Sequence, residues 1–155
     1  MSSAASAGSP TSTTPSPVTS PIEEQLKKLT SDIVEACNSR HWDPKSYPWT
    51  FIAPEFVAGT TFAVLPSEVD FRGFLDAFSG LYASKPEYFV RITDITANVS
   101  EKTGKAIVFV NLENVNYTPG GVLRYSVGKL EFQGCGNGLW LCVRYTSLPV
   151  GEGPF

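Results

Sequence analysis

The sequence has few of the residues that hold metals or form reactive centres. Its 155 residues include one His and three Cys, and no two cysteines stand in a C-x-x-C spacing. A metal site draws its ligands from clusters of such residues, so we expect none here. No glycine-rich phosphate loop and no G-x-S-x-G motif occurs either. We expect Cys37 and Cys142 to be small buried apolar residues, typical of a reducing compartment.

Charge and long apolar runs are also scarce. Charged residues make up 17% of the chain, the net charge is −3, and Lys27-Lys28 is the only adjacent basic pair. This pattern predicts no nucleic-acid partner and no attraction to an anionic membrane. No run approaches the roughly 20 apolar residues that span a bilayer, and we see no secretory signal. We therefore expect a cytoplasmic protein without membrane partners.

The two ends of the chain differ from its middle. Residues 1–19 carry no charge and consist almost wholly of Ser, Thr, Ala, Pro and Gly. Such a segment has too little apolar surface to offset its ordering entropy, so we predict a disordered tail. Its Ser-Pro and Thr-Pro pairs would suit a proline-directed kinase, or the tail is a plain solubilising segment. We expect one domain over 20–150 and a flexible end over 151–155.

The first helix is predicted to begin abruptly. Ser20 is a candidate N-cap, Pro21 suits the first helical position, and Glu23 completes a capping box. Apolar residues then recur at spacings of three and four as far as Cys37, which indicates one buried stripe.

A second helix is predicted from a cap at Ser67 to about Ser84. Its aromatic and aliphatic residues also follow helical spacing, and Pro86 closes it. Between the helices, residues 44–58 are interrupted by prolines and predict only a short helix. A brief strand is predicted over 59–64.

The second half of the chain changes to the period of two that is typical of strands. We predict four strands, at 88–99, 105–117, 121–133 and 138–147. Their short joints contain Gly or Pro, which favours an antiparallel meander. Helices first and strands last give an α+β fold. Strands this long must twist, so we expect a cone-shaped roll in which a curved antiparallel sheet is packed by the N-terminal helices around a pocket.

The order of these elements and three passages resemble a known family. The passages are Arg40–Asp43, Gly104–Glu113 and Gly138–Arg144. Over residues 20–150 the chain resembles the nuclear-transport-factor-2-like superfamily, and within it the SnoaL-like branch, particularly small fungal members. The resemblance implies a conical pocket, often a homodimer through the outer sheet face, and acid–base chemistry without metal or organic cofactor.

Four residues are candidates for that chemistry. His41 is the only imidazole, the type of side chain that suits proton transfer at neutral pH. Asp43 could orient it or could cap the turn before Pro44. Glu113 would have a raised pKa if its strand face is concave, and otherwise is a solvated or dimer-face carboxylate. Arg144 could hold an enolate or carboxylate oxygen, or could form a cross-strand ion pair.

Six further residues are candidate pocket residues. They are aromatic residues of the predicted lid and wall, together with two polar strand residues: Trp42, Tyr47, Trp49, Phe62, Asn111 and Arg124. Most of the aromatic ones could equally be core.

Two functions fit these features. One is a cofactor-free isomerase, cyclase or dehydratase that acts by acid–base chemistry on a small apolar secondary metabolite. The alternative is a non-catalytic module that binds an apolar ligand or forms a dimer. The polar groups that line the cavity discriminate between the two, because catalysis requires an acid or a base there.

Overall fold

The computed structural model describes residues 20–59, 65, 67–118 and 120–150, with side chains to residue 148. The predicted tail, the C-terminal segment and nearly all of the strand predicted over 59–64 lie outside these residues. The elements in chain order are α1 (Pro21–Asn38), a 3-10 turn (Trp49–Phe51), β1 (Ile52–Ala58), α2 (Phe71–Ser84), β2 (Phe89–Ser100), β3 (Lys105–Val115), β4 (Arg124–Gly134) and β5 (Trp140–Val150).

Helix α1 begins as its sequence predicts. The Ser20 hydroxyl accepts a hydrogen bond from the Glu23 amide at 3.1 Å, and the Glu23 carboxylate accepts one from the Ser20 amide at 3.3 Å. This capping box satisfies two amides that the helix itself cannot. The helix buries its predicted stripe against the sheet, with Leu26 and Leu29 almost fully enclosed.

Helix α2 begins three residues later than a cap at Ser67 would place it, so that prediction is wrong. The N-cap is Asp70, whose carboxylate accepts from the Gly73 amide at 2.9 Å. Ala58 and Val69 exchange two backbone hydrogen bonds, at 2.9 and 3.1 Å. This bridge holds the chain before Asp70 out of helical conformation.

Within the described residues, the sheet has five strands in the order β1-β5-β4-β3-β2. Strands β2 to β5 form the predicted antiparallel meander. The sheet is mixed, however, because β1 adds to β5 in parallel. Pro54 is tolerated in β1 because an edge strand leaves part of its backbone unpaired.

Helix α1 is fastened to the other edge of the sheet by its last residue. The side-chain Nδ2 of Asn38 donates to the Val90 carbonyl at 2.8 Å, and the Val90 backbone amide donates to Asn38 Oδ1 at 2.9 Å. The side chain thus pairs with β2 much as a neighbouring strand would.

Arg40 ties together the ends of both helices. It has a left-handed backbone, with φ of 55°, and its guanidinium donates to the carbonyls of Asn38, Lys85, Pro86 and Tyr88 at 2.8 to 3.1 Å. The Asn38 carbonyl belongs to the last turn of α1, which leaves its final carbonyls without helical partners. The other three carbonyls lie in the segment that follows α2, so Arg40 joins the two. No helix in the described part of the chain has the length and apolar character to cross a bilayer.

Candidate ligand-binding cavity

A cavity of about 120 Å³ lies between the inner face of the sheet and the two helices, where the pocket is predicted. Small residues on the inner face help to leave this space. Ser126 and Cys142 line it from β4 and β5. Gly128 faces the same way, and a Cβ added there would lie 2.9 Å from Val110 Cγ1. Half-buried liners such as Val34 and Leu81 bring the cavity near the surface between the helices.

The described residues that line the cavity carry no charge at neutral pH. They are aliphatic and aromatic residues, two cysteines, and a few Ser, Thr, Asn and Tyr side chains. Burial raises the pKa of Cys37 and of Cys142 to about 12, so both remain protonated thiols. A protonated thiol is a poor nucleophile. The described wall therefore offers neutral hydrogen-bonding groups and no carboxylate or imidazole.

Three of these polar residues form a connected group, which we call the polar triad: Tyr88, Asn114 and Ser126. The Tyr88 hydroxyl donates to Asn114 Oδ1 at 2.7 Å, and Asn114 Nδ2 donates to Ser126 Oγ at 3.0 Å. Asn114 is 5% exposed and Ser126 is 8% exposed. Asn114 and Ser126 lie on neighbouring strands, and Tyr88 immediately precedes β2, so the sheet holds all three in place.

Further tyrosines border the same space. The rings of Tyr82 and Tyr88 lie 4.9 Å apart. Burial raises the pKa of both hydroxyls far above the ordinary value and raises the pKa of Tyr145 to about 12. Since all three stay protonated near neutral pH, they can donate hydrogen bonds but cannot act as bases.

The structure places His41 and Asp43 outside the cavity lining. The backbone of His41 is held at both ends, because its amide donates to Ala36 O at 2.8 Å and its carbonyl accepts from Trp49 Nε1 at 2.7 Å. Asp43 accepts from the Lys45 amide and the Ser46 hydroxyl at 3.0 and 2.9 Å, and these bonds lower its pKa. This is the turn cap that was the alternative for Asp43.

Glu113 and Asn111 lie on the outer face of the sheet. The inner face of β3 is formed by the alternate residues, which include Val110, Leu112 and Asn114. Glu113 instead forms an ion pair with Arg91 across the two strands at 2.8 Å. Glu113 would be desolvated only if its face of the strand were the concave one, and it lies on the opposite face.

The two arginines also lie outside the cavity lining. Arg144 forms an ion pair with Glu68. Glu131 pairs with Arg144 and Phe132 pairs with Cys142, so Val143 is an extra residue in β5. Such a bulge interrupts the alternation of faces. The residues of β5 that line the cavity therefore change from Cys142 to Tyr145, and Arg144 lies on the other face. Arg124 stands opposite Asn114 at the start of β4, and its carbonyl accepts from Asn114 Nδ2 at 3.4 Å.

Among the predicted aromatic residues, Trp49 lines the cavity and is 1% exposed. Trp42 stacks on Trp49 with ring centroids 6.1 Å apart, behind the wall. Tyr47 is 51% exposed, and its hydroxyl donates to Asp32 at 2.6 Å. Burial and this carboxylate raise the pKa of Tyr47 to about 12. Phe62 lies outside the described residues.

The polar triad was not predicted, although one of its members had a signal in the sequence. Ala106, Val108, Val110, Leu112 and Asn114 alternate along β3 and form the more apolar of its two faces. A single Asn that ends such a face indicates a buried polar group, which must find partners. Tyr88 and Ser126 become its partners only through tertiary contacts.

Comparison with known proteins finds a shared fold. No family model matches the chain, and no curated protein matches it. Solved structures do match. An uncharacterised protein with a cystatin-like fold from Caulobacter vibrioides has a TM-score of 0.64 at 16% identity, over 83% of this chain and 89% of that one.

Two other solved structures of different kinds share the fold. The CaMKII hub of S. rosetta has a TM-score of 0.63 at 12% identity, over 86% of this chain and 100% of that one. A candidate dehydratase of the NTF2-like family from Streptomyces avermitilis has a TM-score of 0.60 at 16% identity, over 84% and 97%. The chain therefore has the cystatin-like fold of NTF2-like proteins, and identities this low carry no function across.

Proposed function

We propose that this protein binds a small, uncharged and largely apolar molecule in the cavity, without catalysing a reaction on it. The uncharged lining carries this proposal. Apolar walls with a few fixed polar groups are typical of small-molecule sites, and an ionised ligand would lose its hydration without gaining an opposite charge from the described wall. An engineered apolar cavity of about 150 Å³ holds benzene, so this volume suits a ligand of about one ring.

Toluene tests this proposal as a neutral probe of suitable size. Its entry should shift the amide NMR signals of Val110, Leu112 and other cavity residues, with saturation. Val34→Trp should abolish those shifts, because Val34 lines the cavity from α1 and an indole there would fill it. Ser31→Trp is the matched control, since Ser31 is exposed on the same helix.

The outcomes separate clearly. Loss of binding in Val34→Trp together with wild-type binding in Ser31→Trp supports the proposal. No saturable shift in the wild-type protein, or equal shifts in Val34→Trp, contradicts it.

An isomerase, cyclase or dehydratase of the SnoaL-like type is the second candidate. The likeness to the candidate dehydratase favours it, as do the buried tyrosine hydroxyls, which could donate to a developing enolate oxygen. This chemistry also needs a base at the substrate, which the described lining does not supply. Deuterium exchange from D₂O into the α-carbon of a bound ketone, above the rate in buffer, would favour this candidate over binding alone.

We also propose a homodimer through the outer sheet face. Phe109, Tyr125 and Leu148 point outward there and are 36%, 39% and 64% exposed. Val127 pairs with Leu148 and extends the same surface. Apolar side chains grouped on a sheet face are typical of an interface. Light scattering should therefore give twice the mass of the chain, and the mass of a single chain would contradict the dimer.

A further inference from the structure

The polar triad has a fixed direction, which the contacts of Asn114 determine. Asn114 Nδ2 lies 3.4 Å from the Arg124 carbonyl and 3.0 Å from Ser126 Oγ. A carbonyl can only accept hydrogen bonds, so the nitrogen of the amide must face Arg124 and Ser126. The amide oxygen then faces Tyr88, whose hydroxyl must donate to it.

This direction decides what Ser126 can offer. Its oxygen already accepts from Asn114, so its own hydrogen points elsewhere. Among the described residues, the one side-chain hydrogen bond of Ser126 is the one it accepts, and none accepts its own hydrogen. Ser126 lines the cavity and is 8% exposed. A buried donor normally finds an acceptor, and an acceptor on a molecule in the cavity would complete the triad.

The strength of this donor also follows from the triad. When a hydroxyl accepts one hydrogen bond, it becomes polarised and donates the next one more strongly. Tyr88, Asn114 and Ser126 donate in the same sense along the chain, which ends at the cavity. The Ser126 hydroxyl is therefore a stronger donor to an oxygen acceptor in the cavity than an isolated serine would be.

We propose that the ligand is a neutral molecule with a carbonyl oxygen, a ketone, aldehyde or ester, and that this oxygen accepts from the Ser126 hydroxyl. The inference rests on the proposed function and adds the ligand class. A pure hydrocarbon would leave the Ser126 hydrogen without an acceptor. A carboxylate would bring a charge to a cavity whose described lining residues are all neutral.

Two probes of nearly equal shape test this choice. Cyclohexanone and methylenecyclohexane differ only in an oxygen and a CH₂ group, and their affinities can be measured by titration of the amide NMR signals. For the wild-type protein we expect cyclohexanone to bind about three- to tenfold more tightly, which corresponds to one neutral hydrogen bond. Cyclohexanecarboxylate should bind more weakly than either.

Variants then assign the preference to one side chain. Ser126→Ala should remove the preference for cyclohexanone and leave the affinity for methylenecyclohexane nearly unchanged. Ser147→Ala, which also alters a hydroxyl of the cavity wall, is the matched control and should keep the preference. If Ser126→Ala does not fold, Ser126→Cys keeps the shape with a weaker donor and should lower the preference.

Each result decides between the claims. Equal affinities of the two probes for the wild-type protein, a preference that survives in Ser126→Ala, or tighter binding of the carboxylate overturns the assignment of Ser126 while the cavity remains a binding site. Failure of toluene and both ring probes to bind overturns the proposed function and this inference with it.

Discussion

Removal of the Arg40 guanidinium should destabilise the fold more than removal of any exposed arginine. Arg40→Met keeps most of the aliphatic stem but loses the donors to four carbonyls at 2.8 to 3.1 Å and a weaker contact with Tyr82 O at 3.4 Å. The guanidinium carbon also lies 4.9 Å from the centre of the Tyr82 ring.

The expected magnitude follows from these contacts. Each hydrogen bond to a charged group contributes about 1.5–3 kcal/mol to the free energy of unfolding. A partly exposed cation–π contact adds about 0.5–1 kcal/mol. The contact with the Pro86 carbonyl is exposed and the others are partly buried, so water can replace part of these bonds. We therefore expect Arg40→Met to lower the free energy of unfolding by about 2–3 kcal/mol, out of the roughly 5–15 kcal/mol that is typical of a domain.

Urea denaturation followed by tryptophan fluorescence measures this loss. Arg72→Met, on the exposed side of α2, is the control and should change the stability by less than about 0.5 kcal/mol. Arg40→Lys should lie between the wild type and Arg40→Met, because an ammonium reaches fewer of the carbonyls at once. A loss below about 0.5 kcal/mol for Arg40→Met would refute the assigned role.

Two further predictions concern a buried tyrosine and the outer face. The pKa of Tyr145 is about 12 in the folded protein and about 10 in the unfolded chain. The protonated hydroxyl therefore gives its full contribution to the free energy of unfolding below about pH 10, and this contribution is lost as the pH rises from about 10 to about 12. Tyr145→Phe should therefore lose less stability between pH 9 and 11.5 than the wild type, as judged from urea midpoints; an identical pH dependence would contradict this. Leu148→Glu should halve the mass measured by light scattering and leave the melting temperature of the monomer unchanged, and an unaltered dimer would exclude Leu148 from the interface.

Predictions that depended on local sequence were the most successful. The start of α1 is decided by Ser20, Pro21 and Glu23, which lie within one turn, and the capping box forms as expected. The start of α2 was misplaced because the bridge between Ala58 and Val69 precedes it. Both residues of the bridge lie outside the helix, so the sequence of the helix alone could not predict it.

The site was harder to predict because it depends on which strand face is concave. Because side chains alternate along β3, Asn114 and Glu113 point to opposite faces of the sheet. The residues on the face of Asn114 are apolar, which indicates that this face is the inner one. Along β5 the alternation fails at Val143, where the bulge is decided by pairing with β4. The face of Arg144 therefore could not be predicted from its own strand.

The position of a bound ketone tests the central claim most directly. In crystals soaked with cyclohexanone, we predict that the ring lies in the cavity between α1, α2 and the sheet. Its oxygen should lie about 2.7–2.8 Å from Ser126 Oγ, the distance of an ordinary O–H···O hydrogen bond. A ring bound outside the cavity, or one in the cavity with its oxygen turned away from Ser126, would contradict the account.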